Sequence, residues 1–481
     1  MERETIHVVL LPLPAFGHMM PFHQLAIALA EAGVHVSFIS TPKNTQRLPK
    51  PPQNLSPKIS FVSLPLPISD SSPLPKGAEA TVDLISGEQL PYLIKAFDLL
   101  HKPLEKFVVE HSPDWLIIDL LTPWATDVGK DCGVPVLGFS PFSAATCLFW
   151  APSEYLTGDG QKRVRSSLES LTTPPEWVTF PSSVAYYSFE AAGKLNEFYG
   201  DDALGISPAK RLAKTINASQ AMAIRHSREL GGEYLSLYAK LIGKPAIPAG
   251  LLPPEKPKER QITGESWVGT FKWLDLQEPR SVVFVGFGSE CRLSREQVYE
   301  IAYGLEESEL PFLWALRKPL WAKDDVDVLP PGFSERTFDH KRQKVCFGWA
   351  PQREILAHPS IGGSLFHAGW GSTIEALQFG HCLVVLPFMV DQGLNARFLV
   401  EKGLAFEVER GDHDGSFERS DIARALRGAM VGKEGEGMRA RSRDVAAVIG
   451  DREIHEGYIA GLVEFLKAGL RNRNNGSSLH A

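Results

Sequence analysis

Two polar residues in the N-terminal part of the chain have the chemistry of a general base and its orienting acid. His18 follows Gly17 in a segment with Pro and Gly, Pro14–Phe22, and Asp119 directly follows an apolar run, Trp115–Ile118. An imidazole with an ordinary pKa of about 6.5 can take the proton of a hydroxyl near neutral pH, and a carboxylate on its second nitrogen stabilises the imidazolium. Taken singly, the histidine suits helix capping or packing, and the aspartate suits a helix N-cap.

A second group of such residues lies in the C-terminal half. The segment His367–Ser372 begins with a histidine, ends with a serine and precedes a predicted helix, Thr373–Phe379. Backbone N–H groups at a helix start form an anion site, which the two end side chains would extend. Gly369 and Gly371 would let the backbone approach the anion closely. A Gly-rich turn before a helix is also common without any ligand.

Two more residues extend this group from an anion site to a nucleotide site. Glu375 lies one turn into the predicted helix, where its carboxylate can accept both hydroxyls of a ribose. Trp349 offers a flat face on which a base can stack. A lone Trp at a strand end is usually a core residue, so the order and spacing of the whole group carry the interpretation.

Alternating strand and helix patterns must position these residues. Apolar runs without polar interruption are typical of strands buried in a parallel sheet, and such strands alternating with helices indicate open sheets covered on both faces. The predicted strands are His7–Leu11, Val34–Ile39, Trp115–Ile118, Val134–Phe139, Ser281–Phe287, Phe312–Arg317 and Leu383–Leu386; the predicted helices are Leu25–Ala32, Trp124–Cys132, Arg295–Ser308 and Asp421–Met430, the last with Ser420 as N-cap. Irregular helices are expected over 155–220.

The chain predicts an α/β protein of two facing doubly wound, Rossmann-like domains with a cleft between them. Such sheets bind ligands at the carboxyl ends of their strands. A Pro-rich stretch, Lys244–Lys258, separates the two halves. The predicted division is an N-terminal acceptor-binding domain over 1–243, a linker over 244–264, a donor-binding domain over 265–454, and a C-terminal helix over 455–471 that packs back on the N-terminal domain. The polar residues beyond Arg471 are expected to fray.

Composition excludes several classes of function. With 50 basic and 57 acidic residues in 481, the formal charge is −7, which argues against nucleic acid as a partner. The five cysteines contain no C-x-x-C pair, which disfavours a zinc site or disulfide framework and suits a reducing compartment. No apolar run is long enough to span a membrane, and the N-terminus lacks the features of a signal peptide. We expect a cytoplasmic monomer.

The C-terminal group closely resembles the plant secondary product glycosyltransferase box of plant family 1 UDP-dependent glycosyltransferases, which have the GT-B fold. The matching span, Trp349–Gln392, has the 44 residues of that box. The resemblance implies that Trp349 stacks on uracil, that Ala350 and Gln352 hold uracil and ribose, that Glu375 binds the ribose hydroxyls, that His367 and Ser372 bind the diphosphate, and that Trp370, Asp391 and Gln392 contact the donor sugar. The turn Gly288–Ser289 also matches, with its serine facing the diphosphate.

The first group resembles the same family. Its Gly-His-x-x-Pro motif is matched by Gly17, His18 and Pro21, and its strand-end aspartate by Asp119. The resemblance implies that His18 deprotonates the acceptor, whose oxygen then displaces UDP with inversion. The chain departs from the family at Ala368 and Gly371, where Cys and Asn are usual, so backbone donors must carry more of the phosphate contact.

No metal is expected. The chain has no D-x-D motif where a metal would bridge the diphosphate, and Asp70 and the acidic run Asp324–Asp327 suit loop charges. The UDP-sugar is a co-substrate, and no other cofactor is implied.

Finer details resemble the branch that extends existing sugars, namely Ser40–Asn44, Gly288–Glu290 and Val390–Arg397. The resemblance implies transfer of glucose or rhamnose to a small lipophilic glycoside of a terpenoid, steroid or flavonoid, forming a (1→2) sugar–sugar bond. Glucosylation of an aglycone is the alternative within the family. Acceptor contacts are expected from the N-terminal loops, with Phe16, Leu121, Phe142, Phe149 and Phe198 as candidates for which core packing is the other role.

Two alternatives belong to other classes. A dinucleotide-dependent oxidoreductase is suggested by Gly286-Phe-Gly288, but the third glycine of that motif is replaced by Cys291. A non-catalytic UDP-sugar or glycoside-binding protein would need neither His18 nor Asp119.

Overall fold

The computed structural model describes residues 5–69, 71–150, 152–158, 165–202, 205–257, 265–324, 327–338 and 342–477. These residues group into two compact units. Unit 1 draws on the spans 1–167, 194–252 and 451–481, and unit 2 draws on 168–193 and 253–450. The predicted loop charges Asp70 and Asp325 and the predicted linker residues 258–264 lie outside the described residues.

Unit 1 is built on a parallel sheet. In its described part, seven strands occur in the order β3-β2-β1-β4-β5-β6-β7. They are β1 His7–Leu11, β2 His35–Ser40, β3 Ile59–Ser63, β4 Trp115–Asp119, β5 Val136–Ser140, β6 Ala221–Ile224 and β7 Ala246–Pro248. In β4 and in β5 every residue is buried, as their apolar sequences require of strands covered on both faces.

Unit 2 is built on a second parallel sheet. Six described strands occur in the order β10-β9-β8-β11-β12-β13. They are β8 Val282–Gly286, β9 Phe312–Leu316, β10 Gln343–Phe347, β11 Ile361–Phe366, β12 Cys382–Val385 and β13 Ala405–Glu407. In both sheets the strand order reverses beside a central pair, β1 with β4 and β8 with β11, where doubly wound sheets bind ligands.

Helices cover these sheets. In the first half they are α1 Phe16–Glu31, α2 Pro42–Arg47, α3 Leu90–Asp98, α4 His101–His111, α5 Trp124–Asp131, α6 Ala144–Trp150, α7 Ser153–Thr157, α8 Leu168–Leu171, α9 Ser188–Tyr199, α10 Pro208–Ala218 and α11 Arg228–Ile242. In the second half they are α12 Glu265–Asp275, α13 Arg295–Ser308, α14 Phe333–Phe338, α15 Gln352–Leu356, α16 Trp370–Leu377, α17 Gln392–Glu401, α18 Arg419–Met430, α19 Glu436–Gly450 and α20 Arg452–Ser477. Short 3₁₀ turns occupy Gln53–Leu55, Thr81–Asp83, Gly87–Gln89 and Lys433–Gly435.

The last helix returns to the core of unit 1. Leu462 and Leu466 of α20 are fully buried in the apolar cluster that contains Phe22 and Trp115. The Trp115 indole N–H donates to the Leu466 carbonyl oxygen at 3.1 Å. Helix α20 continues to Ser477, so the expectation that the chain frays beyond Arg471 is wrong over those residues.

The predicted fold class, α/β with two doubly wound parallel sheets, is confirmed. Two predicted domain boundaries differ from the structure. Residues 168–193 belong to unit 2, whereas the sequence placed them in the N-terminal domain. The last segment of unit 1 begins at 451, whereas the predicted C-terminal helix began at 455. Three helix starts were wrong. Helix α1 begins at Phe16, α16 begins at Trp370, and α18 begins at Arg419 with Glu418 rather than Ser420 as N-cap.

Candidate active site

His18 and Asp119 form a hydrogen-bonded pair in unit 1. The Nδ1 atom of His18 lies 2.7 Å from Oδ2 of Asp119. Because an ionised carboxylate only accepts hydrogen bonds, Nδ1 carries the proton and Nε2 is the basic nitrogen. The Asp119 side chain is fully buried, whereas the His18 side chain is 12% exposed. This arrangement presents a base to solvent or ligand and keeps its orienting acid in the interior.

Local structure places both side chains at one edge of the sheet. Helix α1 follows β1, so His18 lies in its first turn, and Asp119 is the last residue of the adjacent strand β4. The second carboxylate oxygen of Asp119 accepts the N–H of Leu121 at 3.1 Å. The N-cap of α5 is Pro123, so Asp119 does not have the capping role that its position also allowed.

An aromatic ring borders the base. The Phe142 ring meets the His18 ring edge to face, with centroids 5.3 Å apart. Among the other residues suggested for acceptor contacts, Phe149 is 1% exposed and Phe198 packs on Trp150 at 3.8 Å. Of these three, Phe142 is therefore the one found beside His18.

In unit 2, two glycines enclose the ring of His367. The loops after β8 and β11 meet because these strands are neighbours. A Cβ atom at Gly288 would lie 3.0 Å from the His367 ring, and one at Gly369 would lie 2.6 Å from its Nε2. Gly288 also has φ +74°, a conformation that favours glycine. Both glycines are thus needed for the histidine to sit against this turn.

The His367 ring is neutral at physiological pH. Burial lowers the pKa of this ring to about 4. Its buried Nδ1 has no hydrogen-bond partner in the described structure. A neutral imidazole retains one N–H, which can donate to a phosphate oxygen.

The start of α16 supplies the backbone donors. Because α16 begins at Trp370, residues 370–372 form its first turn, and their N–H groups have no partner within the helix. Trp370 is 3% exposed and its indole packs on Phe398. The group that Trp370 can offer to a ligand at the helix start is therefore its backbone N–H. The side chain of Ser372 is partly exposed in the same turn.

The residues assigned to the base and ribose lie at the ends of β10 and in α15 and α16. The Trp349 side chain is 75% exposed, although it is large and apolar. The amide N–H₂ of Gln352 donates to Oε2 of Glu375 at 2.7 Å, and the Gln352 backbone N–H donates to the carbonyl oxygen of Ala350 at 2.8 Å. An exposed indole is suited to stacking on a base, and a positioned carboxylate is suited to the hydroxyls of a ribose.

The segment 387–392, here named the donor-sugar loop, joins β12 to α17. Oε1 of Gln392 accepts the backbone N–H groups of Phe388 and Met389, both at 2.9 Å. Since only the carbonyl end of the amide accepts, the N–H₂ end is the group that Gln392 can offer to a ligand. Asn395 donates to the Asp391 carboxylate at 2.7 Å and to the Ala368 carbonyl oxygen at 3.1 Å, which ties the loop to the turn before α16.

Two features are absent from the described residues. Among them, no group of three or more His, Cys, Asp or Glu side chains is placed to hold a metal ion. No described helix combines the length and apolar character needed to cross a membrane.

Comparisons with known proteins decide the family. The family model described as UDP-glucoronosyl and UDP-glucosyl transferase matches residues 272–434. UDP-glycosyltransferase 91D2 of Stevia rebaudiana is 40% identical over 471 residues, which cover 98% of this chain and 96% of the relative. The soyasaponin III rhamnosyltransferase of Glycine max is 38% identical, covering 96% of each chain.

The chain belongs to the UDP-glycosyltransferase family. The resemblance to plant family 1 enzymes is thereby confirmed, and the chain is an enzyme that transfers a sugar from a UDP-sugar. The oxidoreductase and non-catalytic alternatives are set aside. An Arabidopsis thaliana glycosyltransferase solved with UDP-L-rhamnose shares the GT-B fold, with a TM-score of 0.70, 25% identity, and coverage of 96% of this chain and 98% of that one.

Two histidines of unit 2, His367 and His381, predict how the stability of this UDP-glycosyltransferase depends on pH. Burial lowers the pKa of His381 to about 3, helped by the nearby Arg280 charge, and lowers that of His367 to about 4. Both values lie below the 6.5 of an unfolded histidine, so between pH 6.5 and about 4 the unfolded chain binds more protons. We expect the free energy of unfolding to fall as pH drops through this window, by about 1.4 kcal/mol per pH unit for the fully buried His381.

Urea unfolding at pH 7 and pH 5 measures this effect. His381 accepts from Ser364 and donates to the Leu356 carbonyl oxygen, so His381→Gln removes the titration and retains polar contacts. This variant should be less stable at pH 7 and lose less stability on acidification. An equal loss in the variant and the wild type would contradict the assignment.

Proposed function

We propose that the enzyme is an inverting glycosyltransferase that transfers glucose or rhamnose from its UDP-sugar to a hydroxyl of a plant natural-product glycoside, forming a (1→2) sugar–sugar bond. The observation that carries the mechanism is the 2.7 Å contact between His18 and Asp119 at the carboxyl edge of the first sheet. A base oriented by a buried carboxylate suits the removal of a hydroxyl proton.

The proposed reaction is a single displacement that uses this pair. Nε2 of His18 takes the acceptor proton as the acceptor oxygen forms a bond to the anomeric carbon of the donor. The bond from that carbon to the UDP oxygen breaks at the same time, and the sugar is inverted. Asp119 stabilises the imidazolium, whose proton passes to solvent after the products leave.

In the same displacement, the departing UDP gains negative charge. We propose that the first turn of α16, the neutral His367, Ser372 and the Gly288–Ser289 turn face this charge. Fixed N–H and O–H donors of this kind stabilise a leaving anion most effectively, because they need no rearrangement during the reaction. Trp349, Ala350, Gln352 and Glu375 hold the uridine, and the Trp370 backbone, Asp391 and Gln392 meet the sugar.

The acceptor class rests on the relatives. The soybean relative is named for rhamnosyl transfer to a saponin, and a Siraitia grosvenorii relative that is 32% identical is named mogroside IIIx synthase. Both names support a glycoside acceptor. Phe142 beside His18 supports an apolar molecule in that position.

A donor–acceptor screen with mass detection tests this function. UDP-glucose and UDP-rhamnose are each offered with triterpenoid, diterpenoid and flavonoid monoglucosides and with the matching aglycones, and the linkage of each product is determined by NMR. We expect the monoglucosides to gain one hexose or deoxyhexose at the 2-hydroxyl of the existing sugar. Transfer to aglycones alone would overturn the glycoside assignment, and the absence of transfer from either donor would overturn the donor assignment.

The remaining proposals concern the conditions of the reaction. We propose that transfer needs no metal ion, so that activity persists with excess EDTA. We also propose that the enzyme works as a monomer in the cytoplasm, and the five free cysteines support a reducing compartment.

A further inference from the structure

A segment far from the box in sequence packs on the donor-sugar loop. Residues 182–190, here named the strap, belong to unit 2 together with that loop. The Tyr186 hydroxyl donates to the carbonyl oxygen of Val390 at 2.8 Å, and Tyr186 is 3% exposed. Val390 directly precedes Asp391 and Gln392.

The rest of the strap is fixed by charged contacts. The Glu401 carboxylate accepts from the Ser182 hydroxyl at 3.0 Å and from the Ser183 N–H at 2.9 Å. Arg397 pairs with Glu190 and, at 2.7 Å, with Glu407. The Arg397 side chain is 5% exposed, so both carboxylates compensate a buried charge. The strap is therefore anchored on both sides of Tyr186.

The loop needs such support because its backbone is strained at one residue. Val390 has φ +51°, a left-handed conformation that is unfavourable for a β-branched side chain. Strained residues keep such a conformation when their surroundings hold them there. Gln392 holds the beginning of the loop from within, and Tyr186 binds the strained residue itself.

We propose that Tyr186 is a positioning residue that holds the donor-sugar loop in the shape that meets the sugar of the UDP-sugar. The strap thus sets affinity for the sugar moiety and leaves affinity for the nucleotide unchanged. This inference rests on the proposed function, in which Asp391 and Gln392 contact the donor sugar. Tyr186 acts on the sugar through the loop backbone.

Calorimetric titration with UDP-glucose, UDP-rhamnose and UDP tests the inference without an acceptor. Tyr186→Phe removes only the hydroxyl. Losing one hydrogen bond to the loop should raise the Kd of the preferred UDP-sugar roughly threefold to tenfold, with that of UDP unchanged. The matched control is Tyr187→Phe, whose hydroxyl lies 3.4 Å from Glu407 instead of contacting the loop. This control should bind the UDP-sugar and UDP like the wild type.

The outcomes separate the inference from the function on which it rests. An unchanged Kd for the UDP-sugar in Tyr186→Phe, or an equal weakening of UDP, would overturn the positioning role and leave the transferase function standing. A wild-type enzyme that binds neither UDP-sugar would overturn the donor assignment and, with it, the inference.

Discussion

Replacing His18 with alanine is expected to lower kcat at least about a hundredfold, the usual scale for loss of a general base. The reason is geometric, since Nε2 of His18 is the basic nitrogen of a ring that Asp119 orients at 2.7 Å. The Kd of UDP should stay nearly the same, because the proposed nucleotide contacts lie in unit 2. Steady-state rates and UDP titration on the same variant measure both quantities.

Two control variants show whether a loss of activity comes from the loss of the base or from an effect of the substitution on folding. His18→Gln keeps a hydrogen-bond donor for Asp119 without a base and should lose activity as His18→Ala does. His35→Ala removes an exposed histidine at the amino end of β2, at the opposite edge of the sheet, and should retain activity. In His18→Ala, the rate of transfer to phenolic acceptors should fall less than the rate of transfer to alcohols, because phenols release their protons more easily. Near-normal turnover of an alcohol acceptor by His18→Ala would contradict the assigned role.

Replacing Glu375 with alanine is expected to weaken UDP binding about tenfold to hundredfold, while kcat at saturating donor changes less. A hydrogen bond to a charged group contributes about 1.5–3 kcal/mol, and each 1.4 kcal/mol is tenfold in affinity. The Glu375 carboxylate accepts a hydrogen bond from the Gln352 amide at 2.7 Å, so the protein itself fixes the orientation of the group that is proposed to bind the ribose. Calorimetry with UDP gives the Kd directly.

Two further variants test whether UDP binding depends on the charge of Glu375 and on its position in unit 2. Glu375→Gln keeps the size of the side chain and should lose part of the affinity. Glu409→Ala removes a carboxylate that is 76% exposed in the same unit and should leave UDP binding unchanged. If UDP bound Glu375→Ala as tightly as the wild type, the ribose assignment would be wrong.

The strands that position His18 and Asp119 were predictable because their signal is local. The apolar runs Val8–Leu11 of β1 and Trp115–Ile118 of β4 are unbroken, and Asp119 ends β4 at the sheet edge. Because β1 and β4 pair in parallel, the start of α1 with His18 and the end of β4 with Asp119 lie close together, and the two side chains form a hydrogen bond. The helix starts were less predictable, because Trp370 and Gly371 give weak helix signals that packing against Phe398 overrides.

The contacts that shape the donor-sugar loop left no readable signal in the sequence. The bond from Tyr186 to Val390 spans 204 residues, and nothing in the composition of 182–190 points to the donor-sugar loop. The hydrogen bond from the Phe388 N–H to the Gln392 side-chain carbonyl oxygen likewise depends on the backbone conformation at Phe388. The positive φ of Val390 is not predictable from residue type, since β-branched residues avoid that region.

The anomeric configuration of the product tests the account most directly. With a donor and acceptor pair from the screen, NMR of the freshly formed glycoside gives the configuration at its anomeric carbon. This configuration is compared with that of the UDP-sugar. Direct attack by an acceptor that His18 deprotonates predicts complete inversion. A product that retains the donor configuration would require an intermediate on the enzyme or the nucleotide and would contradict a single displacement driven by the His18–Asp119 pair.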